Sequence, residues 1–190
     1  MIILGVDPGT RNTGFGVIDF EKNSSTLLHF GSIKLDGEKP ISERLVIIYS
    51  KLTAVIEAYK PKVIAVETAF YAKNISSTMK LGHARGVILL AAAQSGAQIL
   101  EISPREIKRH ITGNGNASKE QVAKMVQLML KLTDDFPVFD MSDAIAIAFS
   151  AGYEIGPGSS QFKKVTQSVV KKKRSSWSDF IGKNEHRVIQ

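Results

Sequence analysis

The chain has 190 residues, 43% of them hydrophobic, with no Cys and a formal net charge of +7, enough for one ordinary domain with a tail and a core that needs no covalent staples. Without Cys there is no disulfide framework, thiol nucleophile or cysteine-ligated zinc or iron–sulfur centre, so any bound metal must sit on oxygen or imidazole. Most of the positive charge is terminal: residues 161–190 carry eight Lys or Arg against two Asp or Glu, whereas residues 1–160 carry 17 against 16, so bulk basicity says little about the folded body.

The apolar start, Met1-Ile2-Ile3-Leu4, breaks off at Asp7 after one strand's length. It is too short for a signal peptide or a membrane span, and no other apolar run is long enough to cross a bilayer, which predicts a cytoplasmic protein with no membrane partner. Residues 2–6, 15–20 and 27–35 read as three short strands with gaps too short for a crossover helix, an antiparallel meander. Pro40 opens a helix running to about Tyr59, with Leu45, Ile48, Leu52, Val55 and Ile56 at helical spacing, and Pro61 ends it before a strand over 62–67. After an irregular stretch at 70–74, a second apolar helix spans about 76–94, followed by a strand near 98–102 and a helix opened by Ser103-Pro104. The Gly-rich segment 112–116 is a loop, and helices at about 118–131 and 140–153 complete the body. Beyond Gly156-Pro157-Gly158-Ser159-Ser160 the composition shifts to Lys and Ser, which divides the chain into a domain over 1–155 and a basic, flexible tail over 156–190. That tail reads either as a solvated end or as a source of salt-sensitive affinity for phosphates.

Chain rules order the strands. The meander strands pair consecutively, and a right-handed crossover returns the 62–67 strand beside the first and parallel to it. The expected fold is α/β, a mixed five-stranded sheet with helices on both faces.

Asp7 closes the first strand and Glu67 closes its expected parallel neighbour, so both carboxylates emerge at the sheet edge where sites in open α/β folds form. Asp140 and Asp143, three apart at the front of the run Ala144–Phe149, share one helix face. Taken singly, each has a structural reading: turn residue, solvated strand end, helix cap or dipole partner. Taken together, converging carboxylates resist ionisation unless a cation joins them. A hard divalent ion such as Mg²⁺ suits an all-oxygen set, and two ions would serve in-line hydrolysis of a phosphodiester without a covalent intermediate. The turn Asp7-Pro8-Gly9-Thr10-Arg11 lets the backbone approach a phosphate, with Arg11 in reach of it, although any hairpin might need the same Gly and Pro. Gly82, Ala84 and Gly86 would admit a second helix closely, or equally serve helix-on-sheet packing.

Four blocks carry a resemblance: Gly5-Val6-Asp7-Pro8-Gly9-Thr10-Arg11-Asn12-Thr13-Gly14-Phe15-Gly16, Val66-Glu67-Thr68-Ala69-Phe70-Tyr71-Ala72-Lys73-Asn74, Leu81-Gly82-His83-Ala84-Arg85-Gly86 and Asp140-Met141-Ser142-Asp143-Ala144. In this order, over about residues 1–153, they closely resemble the RuvC family of bacterial Holliday junction resolvases. The resemblance implies a ribonuclease H-like fold and a homodimer that makes paired, symmetric cuts in a four-way DNA junction during recombination and repair. It also implies dependence on Mg²⁺, with Mn²⁺ able to substitute, and nicks with 5′-phosphate and 3′-hydroxyl ends. The family's acidic ligands fall on Asp7, Glu67, Asp140 and Asp143. Phe70 matches an aromatic that stacks on a junction base, and Lys108 and Lys119 match lysines that contact DNA near the scissile phosphate; read bare, these are a packing residue and two surface lysines. Cooperation with the RuvA and RuvB branch-migration proteins is implied as well. Two rival readings are an actin-like or sugar-kinase-like phosphotransferase lobe, disfavoured by length, and a non-catalytic junction-binding protein, disfavoured by intact carboxylates.

Overall fold

The computed structural model of the chain describes residues 1–22, 24–68, 75–131 and 139–156, with 139–141 as backbone alone. Strands β1 (Ile2–Asp7), β2 (Asn12–Asp19) and β3 (Thr26–Lys34) are followed by α1 (Ile41–Tyr59), β4 (Val63–Glu67), α2 (Ile75–Gln94) and β5 (Gln98–Ile102), then by α3 (Pro104–Thr112), α4 (Lys119–Met129) and α5 (Phe139–Ile155). The sheet order is β3-β2-β1-β4-β5. β1 pairs antiparallel with β2 and parallel with β4, and β5 continues the parallel side, the α/β arrangement that the chain rules require.

The second strand begins at Asn12, three residues before its apolar run suggested. Thr13 is fully buried, its hydroxyl donates to the Gly9 carbonyl at 3.2 Å, and pairing with β1 therefore starts at Asp7 opposite Gly14. The last helix starts at Phe139 and runs to Ile155, so Asp140 is its second residue. Phe70 and the basic tail after Gly156 lie outside the described residues.

Apolar alternation in β1 and β4 feeds two cores. On one face Leu4, Val6, Ile64 and Val66 pack with Ile48, Leu52 and Ile56 of α1 and Ala84 and Ile88 of α2. On the other, Ile3, Ile18 and Ala65 pack with α5, around which Ile107 and Ile111 of α3 and Val122 and Val126 of α4 close. Helix α5 is buried along Ala144–Ala151, consistent with a run apolar on every side.

Two glycines let that helix approach the sheet. Gly5 and Gly16 face each other across β1 and β2. A Cβ on Gly5 would lie 2.1 Å from the Ala144 carbonyl oxygen and 2.6 Å from the Ala148 nitrogen, and one on Gly16 would lie 2.7 Å from Ile145 Cγ1. The backbone of α5 thus rests on β1 itself, one residue after Asp143 and two residues before Asp7. Among the described residues no helix is long and apolar enough to cross a membrane.

Candidate active site

Asp7 and Glu67 stand at the C-terminal ends of adjacent parallel strands, where Val6 opposite Val66 is the last paired position before them. The loop after Asp7 is fixed from three sides. Gly9 packs so tightly on the turn that a Cβ would meet the Asn12 carbonyl at 1.8 Å, the Leu35 amide donates to the Arg11 carbonyl at 2.8 Å, and the guanidinium of Arg44 donates to the Thr10 carbonyl at 3.1 Å. Arg44 is 7% exposed, and it continues the four-residue spacing of Ile48, Leu52 and Ile56 on the buried face of α1. A charged residue in line with that stripe was the legible sign of this anchor, and the sequence reading passed over it. Arg11 itself is exposed.

The other side of the site comes from α3, α4 and α5. Reciprocal capping boxes start two of these helices, Ser103 with Glu106 and Ser118 with Gln121, which satisfies first-turn amides and sets each helix's entry. His110 of α3 meets the buried Ser150 hydroxyl of α5 at 2.7 Å. Lys108 is thereby carried on a helix tied to α5, and Lys119 is the first residue of α4.

The result is one pocket of about 240 Å³ bounded by Asp7, Glu67, Lys108, Lys119 and Asp143, with Ile107, Val122 and Ile147 among its apolar walls. Three of the four acidic residues singled out from sequence meet here, together with both lysines. Asp140 enters α5 in the turn before Asp143, and its side chain lies outside the described residues. The apolar walls were not anticipated, because each belongs to a helix whose buried face looked like ordinary core.

Burial first, and then the charge of Glu67, push the Asp7 carboxyl from 3.8 up to about 8, with a hydrogen bond to Glu67 and the charge of Asp143 adding and Lys119 opposing. Glu67 is also raised, chiefly by burial, while the hydrogen bond from Asp7 and the charges of Lys119 and Lys108 pull it down. Both carboxyls are raised, so the pair holds on to a proton that either group alone in water would release. Like charges in a partly dry pocket resist joint ionisation. The lysine response is the mirror image: pairing with Asp143 raises Lys119.

Such a pocket fits a hard divalent cation, since its donors are oxygens and its carboxylates lack the positive charge that full ionisation needs. Among the described residues, however, no three of Asp, Glu and His are already arranged as a ligand set. Asp143 is turned to Lys119, Nζ to Oδ2 2.8 Å.

On the second helix the three small residues divide. Ala84 is buried against the sheet, whereas a Cβ at Gly82 or Gly86 would meet nothing within 4 Å. Those glycines share an exposed face with Ile75, Met79 and Leu90, which are 82%, 60% and 52% exposed.

A family model described as "Crossover junction endodeoxyribonuclease RuvC" matches residues 3–151. The chain is 41% identical to a protein of that name from Chloroherpeton thalassium, over the full length of both. It is 42% identical to one from Pelodictyon phaeoclathratiforme, covering 100% of this chain and 98% of the relative. Among solved structures it is similar to Thermus thermophilus RuvC in complex with Holliday junction substrate, with TM-score 0.75 and 29% identity, covering 81% of this chain and 94% of that one.

Proposed function

Because the chain belongs to the RuvC family of crossover junction endodeoxyribonucleases, we propose that it resolves four-way Holliday junctions in cytoplasmic DNA, hydrolysing a phosphodiester in each of two opposed strands to leave 5′-phosphate and 3′-hydroxyl nicks. The observation that carries the chemistry is the meeting of Asp7, Glu67 and Asp143 with Lys108 and Lys119 in one pocket, where the Asp7 carboxyl is pushed up to about 8.

Divalent cations, Mg²⁺ with Mn²⁺ as a substitute and two per site, supply charge neutralisation and an acidified attacking water when bound. Asp7, Glu67, Asp140 and Asp143 would hold them. Asp7 must give up its proton for this, so the site is readier at alkaline than at acid pH. Lys108 and Lys119, which line the pocket, take phosphate oxygens, whose charge would otherwise meet three carboxylates. Ile107, Val122 and Ile147 form an apolar wall that strengthens each of these interactions on its side of the pocket. Arg11, exposed on the turn after Asp7, reaches the DNA backbone. Phe70, three residues beyond Glu67 in the chain, stacks on an unpaired base at the branch point, an interaction worth ~1–3 kcal/mol.

Paired cutting follows from a two-fold dimer with one site per subunit. The exposed stripe of Ile75, Met79, Gly82, Gly86 and Leu90 on α2 supports a second copy docking there, because it recurs at helical spacing and its glycines let backbones approach. Cooperation with RuvA and RuvB rests on family membership. Residues 1–155 form the nuclease domain, and the basic segment 156–190 adds phosphate affinity.

The test is incubation with a synthetic four-way junction and with linear duplex, with and without Mg²⁺. Symmetric nicks confined to the junction and dependent on the metal are expected. Cleavage that persists in chelator, or that survives in Glu67→Gln, would refute the assignment.

A further inference from the structure

Two features of the pocket belong together. Asp143 lies within electrostatic reach of Asp7 and Glu67, yet its carboxylate is engaged by Lys119 at 2.8 Å, and the described acidic residues are not arranged as a ligand set. The two partners differ in freedom. The Asp143 side chain is 20% exposed on a buried helix, whereas that of Lys119 is 65% exposed at the start of α4. The Lys119 backbone is held by the Ser118 capping box and by Val122 and Val126 beneath it. The anchor is fixed, and the ammonium on its four-carbon stem can move.

We propose that Lys119 is the resident counter-cation of the metal site: in the DNA-free protein it occupies Asp143, and a DNA phosphate that draws the ammonium away releases Asp143 for coordination, so that substrate binding and metal loading reinforce each other. The exchange is cheap, because an ion pair with a largely exposed lysine contributes little in water. It has a direction, because an ammonium beside a divalent ion is repelled, while one on a phosphate oxygen is attracted. Linkage makes the coupling reciprocal: metal must tighten junction binding by the factor by which junction DNA tightens metal binding. This inference rests on the metal-dependent nuclease reading above, and adds that Lys119 opposes metal in the free protein.

The experiment is Mn²⁺ titration of the DNA-free full-length protein, with free ion followed by electron paramagnetic resonance, for wild type, Lys119→Ala, Lys119→Arg, Asp143→Asn and the Lys119→Ala/Asp143→Asn double variant. Lys119→Ala should bind Mn²⁺ about three- to tenfold more tightly than wild type, and Lys119→Arg should stay near wild type. In the Asp143→Asn background the gain from removing Lys119 should shrink to near onefold, the coupling that a double-mutant cycle isolates. Adding a junction made nuclease-resistant by phosphorothioate linkages around the branch point, with gels verifying that it is intact, should tighten Mn²⁺ binding to wild type by a larger factor than to Lys119→Ala. Equal or weaker Mn²⁺ binding by Lys119→Ala, or a gain that persists undiminished in Asp143→Asn, overturns the proposal while leaving the nuclease reading in place. Mn²⁺ binding to the wild-type junction complex that is absent, or that an added Asp7→Asn variant matches, overturns both.

Discussion

Replacing Asp7 by Asn should make the metal-free protein more stable while abolishing cleavage. The Asp7 carboxyl titrates at about 8 in the fold, against 3.8 in a model peptide, so the folded state holds a proton that the unfolded chain has already released. A group with a raised folded value contributes stability that is complete below about pH 4 and is lost as pH rises towards 8. Four units at ~1.4 kcal/mol each set a ceiling of ~6 kcal/mol. Because the pocket is open to water, screening reduces this by half or more, to ~2–3 kcal/mol. Asn keeps a donor for the Glu67 carboxylate and carries no titrating proton. In EDTA the variant should therefore match wild type near pH 4 and exceed it progressively above, by ~2–3 kcal/mol at pH 8.5, or roughly 4–12 °C in Tm for a chain of this size. Thermal denaturation of both proteins between pH 4 and 9 measures the gap. Saturating Mg²⁺ should close it, because a ligand of the folded state stabilises wild type by mass action and the variant much less. A wild type that is the more stable protein at pH 8.5 in EDTA, or a gap that does not change with pH, would refute the account of the site as a strained carboxylate cluster.

Gly5→Ala places a methyl group against the backbone of α5 and should lower stability by about 1–3 kcal/mol. By shifting Asp143 it should also reduce cleavage by on the order of 10²-fold, measured on junction DNA under single-turnover conditions with folding checked by circular dichroism. Phe70→Ala should slow junction cleavage while leaving Mn²⁺ affinity at the wild-type value, and an unchanged rate would return this side chain to a packing role. Deleting residues 161–190, with their eight basic residues, should flatten the dependence of junction affinity on salt, and identical slopes in a fluorescence titration would make the tail an inert extension.

The order of elements, the meander, and the placing of Asp7 beside Glu67 were all legible in the sequence. Strand alternation, helical spacing and the handedness of crossovers are local or nearly local rules, and they fix which strand ends lie side by side. Asp143 could be assigned to the same helix face as Asp140 by spacing, but nothing local tells that helix how near to stand to β1. That distance depends on Gly5 and Gly16 meeting the backbone of Ala144–Ala148, a contact between segments about 130–140 residues apart. The buried Arg44 that pins the Asp7 loop, the apolar walls from three helices and the engagement of Asp143 by Lys119 are of the same kind. Sequence determines which groups are available and at which sheet edge they emerge. Close packing between distant segments decides their separation, and with it the proton that Asp7 retains, since burial and neighbouring charge exist only once the chain has folded.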